Sequence, residues 1–246
     1  MFKLDGRNFV VLNGQYSTEA PTADEVFPNA RLHDLTIGEI DNAKIYSGDL
    51  SYILRAPRVK ARLTGYYTRI SDEIEKSFGY IDGRQGAEDG GGNTYFAAEV
   101  LTDVEKEHLG MEFAIEGQIT PTFKAYGVAS LGQYTYKNNP NYYLFSDDLL
   151  DDFGGLNNFG KAYIENYRVA AGPHIGSTLG VEYRSPKYWW IGVSGNYLAN
   201  NYLDIAAFRR TSQFYGGLHP SDIDPEMANE VLRQQKTSNV SGIPNM

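Results

Sequence analysis

The chain has 246 residues and a net charge of −9, with 31 acidic against 22 basic residues and no cysteine. That balance argues against a nucleic-acid partner, whose phosphates require a clustered basic face, and the missing cysteine leaves neither disulfides nor thiolate chemistry. Mean hydropathy is −0.43, and no apolar run reaches the roughly 18 residues of a membrane-spanning helix.

The 19 Tyr, 12 Phe and 26 Gly stand out against this background. Tyrosine combines an apolar ring with a wet hydroxyl, so it suits a water–lipid boundary or a binding surface. Met1 to Arg7 lacks the apolar core of a secretory leader. An exported protein would therefore carry further sequence upstream.

Taken in chain order, the readable segments alternate apolar and polar residues with period two, the pattern of a half-buried strand. Asp5-Gly6 is a tight hairpin signal and implies a strand just before it. Asn8–Ser17 sets Val10, Leu12 and Tyr16 against Asn13, Gln15 and Ser17. Lys44–Ala56 sets Tyr46, Leu50, Tyr52 and Leu54 against Ser47, Asp49 and Ser51. Arg58–Ile70 sets Val59, Ala61, Leu63 and Tyr67 against Lys60, Arg62, Thr64 and Thr68. Glu107–Ile119 sets Leu109, Met111, Phe113 and Ile115 against His108, Glu112, Glu116 and Gln118.

Phe123–Tyr136 is a strand by composition. Ile175–Tyr183 opposes Leu179 and Val181 to Thr178 and Glu182, and Tyr188–Asn200 opposes Ile191 and Val193 to Ser194 and Asn196. These segments predict seven long antiparallel strands in a sequential meander.

The connections carry as much information as the strands. Ala56-Pro57, Thr120-Pro121-Thr122 and Arg184-Ser185-Pro186-Lys187 are tight turns. Thr18–Ala43, Ser71–Thr94 and Lys137 to about Val169 read as long polar loops. Short and long connections alternate strictly, as they do in outer-membrane barrels, and strands of about ten residues match a tilted bilayer crossing. Tyr16, Tyr46, Tyr66, Tyr67, Tyr183, Tyr188, Trp189 and Tyr197 fall near strand ends, where an interfacial girdle belongs.

On this reading Leu50, Leu54, Leu63, Phe113, Ile115, Leu179, Val181, Ile191 and Val193 face lipid. Asp49, Arg62, Glu112, Glu116, Glu182 and Asn196 face the lumen. Asp224-Pro225-Glu226 reads as a helix start, with a short helix to about Gln235 and a featureless tail after it.

Several segments resemble TonB-dependent outer-membrane receptors of the Bacteroidetes type. They are Gly180-Val181-Glu182-Tyr183-Arg184-Ser185-Pro186-Lys187-Tyr188-Trp189-Trp190, Asn200-Asn201-Tyr202-Leu203-Asp204-Ile205 and Arg209-Arg210-Thr211. Upstream, Lys44–Tyr52 and Ala61–Tyr67 look like consecutive strands of the same family.

The resemblance implies an open segment of a 22-stranded transmembrane β-barrel, with residues 1–201 supplying late barrel strands. Residues 202–246 would form an extracellular loop with a short helix and an irregular tail. It implies import of a nutrient ligand (iron chelate, glycan, peptide or vitamin) across the outer membrane. The implied partners are outer-membrane lipid, TonB, the ligand and, in the glycan-importing branch, a surface lipoprotein. The plug, TonB box and closing strands of such receptors have no counterpart in this sequence, so the chain reads as a truncated piece. A soluble all-β binding module and a non-functional truncated product are the alternatives.

No cofactor, metal or catalytic residue is expected. His33, His108, His174 and His219 lack zinc-site spacing, and Asp147, Asp148, Asp151 and Asp152 lack the spacing of a calcium loop. Gly90-Gly91-Gly92 has no following Lys-Ser/Thr and so reads as a loop tip. Glu105-Lys106-Glu107-His108 reads as a polar strand end just above the membrane.

Overall fold

The computed structural model describes residues 1–29, 35–38, 40–83, 93–146, 156–170, 172–211 and 213. Strands β1 (Phe2–Lys3), β2 (Asn8–Glu19), β3 (Ala43–Arg55), β4 (Val59–Gly83), β5 (Asn93–Thr120) and β6 (Phe123–Tyr136) come first. β7 (Asn141–Phe145), β8 (Leu156–Lys161), β9 (Ile175–Arg184) and β10 (Trp190–Ala199) follow. A one-turn helix α1 (Ala23–Val26) lies after β2, and a 3₁₀ turn covers Ala207–Arg210.

The strands form one antiparallel sheet in the order β1-β2-β3-β4-β5-β6-β9-β10, while β7 pairs with β5 and β8 with β7. The path does not close on itself among the described residues. The seven expected strands are β2 to β6, β9 and β10, and they pair in succession as expected. β1 is the short strand implied by the Asp5-Gly6 turn.

All three expected loops contain structure, and Thr18–Ala43 holds α1. β4 continues to Gly83 and β5 begins at Asn93, so most of Ser71–Thr94 is a hairpin extension. The connection from Lys137 holds β7 and β8. The Gly90–Gly92 tip, Asp147 to Asp152, His33, His219 and the helix expected from Asp224 lie outside the described residues.

Register divides the sheet into two chemically distinct faces, because directly opposed residues share a face and alternate residues switch. One row runs Val10–Tyr52–Leu63–Phe113–Ala129–Ser177–Tyr197, and the next Leu54–Ala61–Ile115–Gly127–Leu179. All nine residues expected to face lipid lie on this apolar face. It stays largely uncovered: Leu179 is 72% exposed, Val193 67% and Leu50 55%.

The opposite face carries Asn13–Asp49–Tyr66, Ser51–Thr64–Glu112–Ser130 and Arg62–Ala114–Val128–Thr178–Asn196. Tyr66 belongs here and not with Tyr67, since adjacent strand residues point to opposite sides. On β5 the apolar face runs from Leu109 to Ile119 before Glu107 ends it. Those residues span about 34 Å along the strand. At a barrel tilt near 45° that projects to about 24 Å, the height of a lipid-facing band.

Beyond the band, burial reverses. The β4–β5 extension passes an irregularity between Ile70 and Glu75, where Asp72 (φ 60°) and Asp103 (φ 62°) take left-handed backbone. Aspartate tolerates that conformation better than most residues.

Chain then packs on both sides of the extension. On the continuation of the polar face, Leu101, Val104, Tyr136, Tyr142, Ile164, Val169 and Ala207 form a buried core. On the other side Ile37 and Ile40 cover Ile74 and Val100, and the Lys76 ammonium donates to the backbone oxygens of Asp24 (2.9 Å) and Phe27 (3.1 Å). Beyond the band these loops bury the apolar residues of the extension against themselves.

Candidate functional site

The hairpin extension, β6 and the segment after β10 enclose a cavity of about 280 Å³ at the loop end of the polar face. Glu75, Ser77, Glu99, Tyr136 and Asp204 line it together with Ile164, Val169, Ile205 and Ala207. β4 supplies Glu75 and β5 supplies Glu99, placed by the pairs Glu75↔Leu101 and Ser77↔Glu99. Asp204 arrives from the chain after β10. The 3₁₀ turn anchors that segment: Phe208 packs against Tyr142 and Phe159 at ring distances of 6.2 and 5.7 Å.

Electrostatics in the cavity are dominated by oxygen. The Tyr136 hydroxyl donates to Glu75 Oε2 at 3.0 Å. Lys106, nearly buried, bridges Glu73 at 2.8 Å and also contacts Glu75. Burial alone would lower the Lys106 pKa, but the two carboxylates outweigh it and raise the pKa above the ordinary lysine value.

Burial pushes the Glu99 carboxyl upward, and the Asp204 charge adds to the shift, while the nearby Tyr142 and Ser77 hydroxyls oppose it. Tyr142 is fully buried and its pKa is raised, first by burial and then by the adjacent Glu99. The hydroxyl approaches that carboxylate without the geometry of a well-formed hydrogen bond. The cavity therefore presents acceptors on one wall and apolar side chains on the other. This suits a small ligand with donor or cationic groups and an apolar portion.

Below it, rings meet edge to face along the polar face. His108 and His174 flank Tyr134 with ring centroids at 4.9 and 4.7 Å. Tyr202 lies 4.9 Å from His174, and the Tyr66 and Tyr134 hydroxyls are 2.9 Å apart. Two histidines that look isolated in sequence thus share one tyrosine. Among the described residues no three His, Asp or Glu side chains are grouped to hold a metal.

The six polar residues singled out from sequence, Asp49, Arg62, Glu112, Glu116, Glu182 and Asn196, occupy the same face but do not converge. Asp49 accepts from Asn13 Nδ2 at 3.0 Å. Arg62 donates to Ser51 (3.1 Å) and Thr64 (3.0 Å). Glu116 pairs with Lys124 at 2.6 Å and Lys60 at 3.8 Å, and Glu182 pairs with Arg184. Asn196 accepts from Thr178 Oγ1 at 2.7 Å.

The sequence pattern does not reveal the mouth cavity, because Glu73 to Ser77 reads as loop. The signal was present: Ile74, Lys76, Phe78 and Tyr80 continue the period-two alternation beyond Ile70. Glu105–His108 is not a strand end, because β5 runs through it from Asn93 to Thr120; it lies at the loop-side edge of the apolar band, with Arg69–Glu105 and Lys137–Glu107 pairs beside it.

No protein-family model and no curated protein matches the sequence. Among solved structures the chain is similar to the copper transporter OprC, with a TM-score of 0.54 and 15% identity over 80% of this chain. It spans 25% of that transporter's length, so the likeness is of fold, and this chain has the architecture of one part of such a barrel wall.

Proposed function

We propose that the chain is a stretch of wall and surface loops of an outer-membrane TonB-dependent receptor of the Bacteroidetes type that imports a nutrient ligand. The observation that carries this reading is the change of burial along the strands. A band of exposed apolar side chains about ten residues tall gives way, among the described residues at one end only, to loops with a buried core. A soluble binding module would leave that band in water, where a continuous apolar stripe drives aggregation.

In this reading the apolar face meets lipid. The polar face, with Asp49, Arg62, Glu112, Glu116, Glu182 and Asn196, lines the lumen, and the tight turns face the periplasm. Residues 202–246 belong to the outer loops. The chain contributes wall and mouth to transport and no catalytic group. The cavity of Glu75, Glu99, Asp204 and Tyr136 contacts the ligand on its way in, with TonB and a surface lipoprotein as partners of the whole receptor.

Fractionation and growth test the reading together. The protein should sediment with the outer membrane. Its disruption should abolish growth on one limiting source among iron chelates, cobalamin, glycans or peptides, and loss of TonB should reproduce the defect. Recovery in the soluble fraction would overturn it.

A further inference from the structure

Charge is segregated along the strands. Among the described residues, eight basic but only three acidic ones lie at the tight-turn end: Lys3, Arg7, Arg55, Arg58, Lys60, Lys124, Arg184 and Lys187 against Asp5, Glu116 and Glu182. Among the described residues that end carries a net +5, eight basic against three acidic.

Register fixes where these cations point. Arg55 pairs with Lys60 and Lys60 with Glu116, while Lys124 opposes Gln118 and Glu182, all on the polar face. Lys3 opposes Phe9, which opposes Ile53 on the same face. Arg58, Lys60, Lys124 and Arg184 line a shallow hollow of about 250 Å³, with Gln118, Thr120 and Phe123 between them. Glu116 is already engaged by Lys124 and Lys60, and Glu182 by Arg184, so a surplus of positive charge remains. The Lys60 and Arg184 side chains are each 72% exposed.

The geometry points to this turn-end rim as a docking surface for an acidic, extended polypeptide segment. The cations are spread across β1 to β9 and do not converge as they would on a single phosphate. From β2 to β9 the sheet has five interstrand steps, about 24 Å at the usual strand spacing, which an extended segment of about seven residues covers. A lipid bilayer lying against the apolar face would not reach these side chains, because they project from the opposite side. Carboxylates spaced along a polypeptide match distributed, exposed cations, with Gln118 and the turn threonines between them.

The inference rests on fold and charge and not on transport, so it can fail while ligand uptake holds, and the reverse. The test uses the full chain in zwitterionic detergent and follows the anisotropy of a labelled octaglutamate peptide. Octaglutamate should bind, more weakly as salt rises, and octalysine should not. The combined variant Arg58→Gln, Lys124→Gln and Arg184→Gln should lower affinity about tenfold at low salt. Arg58→Lys with Arg184→Lys should retain binding, as should Lys161→Gln at the loop end.

Unchanged binding in the triple Gln variant, or equal binding of octalysine, would overturn the proposal. Complete displacement by low-millimolar inorganic phosphate would point instead to a small-anion site. Displacement by anionic phospholipid vesicles alone would point to a lipid surface. Either result counts against a polypeptide partner.

Discussion

Tyr66 lies over Gly110, its directly opposed partner on β5, and Tyr126 lies over Gly180 on β9. A Cβ at Gly110 would sit 2.3 Å from the Tyr66 hydroxyl oxygen, and one at Gly180 2.3 Å from Tyr126 Cζ. Both glycines therefore exist to seat a ring on the polar face. Gly110→Ala and Gly180→Ala should each cost about 1–3 kcal/mol as the ring is forced off its seat. Gly14→Ala, with nothing within 4 Å, should stay within about 0.5 kcal/mol; urea unfolding in detergent measures all three.

Glu99 makes a second residue-scale prediction. Burial raises its pKa, so the folded state holds the proton more tightly than the unfolded one. The stability it contributes is complete below the ordinary carboxylate pKa and is lost as pH rises through the raised value. Glu99→Gln should therefore strengthen amide protection around Leu101 and Tyr142 at neutral pH, and flatten its decline above the carboxylate range. Hydrogen exchange against pH reads both effects.

At the scale of the element, β9 and β10 show what alternation specifies. Leu179 and Thr178 are neighbours in sequence but lie on opposite faces of the sheet. Leu179→Arg in the membrane should cost about 2–4 kcal/mol if this position lies near the bilayer midplane, and Thr178→Arg far less. Heat-modified mobility of the two variants in outer-membrane preparations compares them.

Strand identity, order and face were legible in sequence because a one-residue slip would turn every apolar side chain to the wrong side. The upper half of the β4–β5 hairpin was not. Its residues Glu73, Glu75 and Lys76 look like loop. Glu73 and Glu75 are held by Lys106, and Lys76 by backbone oxygens of the segment after β2, contacts far apart in sequence. The mouth cavity escaped for the same reason, since Glu75, Glu99 and Asp204 meet only through folding. His108 and His174 were read as isolated, and only the pairing of β5, β6 and β9 brings both to Tyr134.

At the scale of the whole molecule, the proposal that one face meets lipid and the other a lumen rests on the two chemically distinct faces of the sheet. The natural absence of cysteine makes the central claim directly measurable. Single cysteines placed at Leu63, Phe113, Leu179 and Val193, and at Ser51, Glu112, Thr178 and Asn196, can be challenged in outer membranes with a water-soluble maleimide. A lipid-phase nitroxide then reports on a fluorophore at the same sites. The apolar-face positions should resist the maleimide and be quenched by the nitroxide, and the polar-face positions should label from water and escape quenching. Equal labelling of Leu179→Cys and Thr178→Cys, with no difference in quenching, would contradict the assignment of one face to lipid and the other to a lumen.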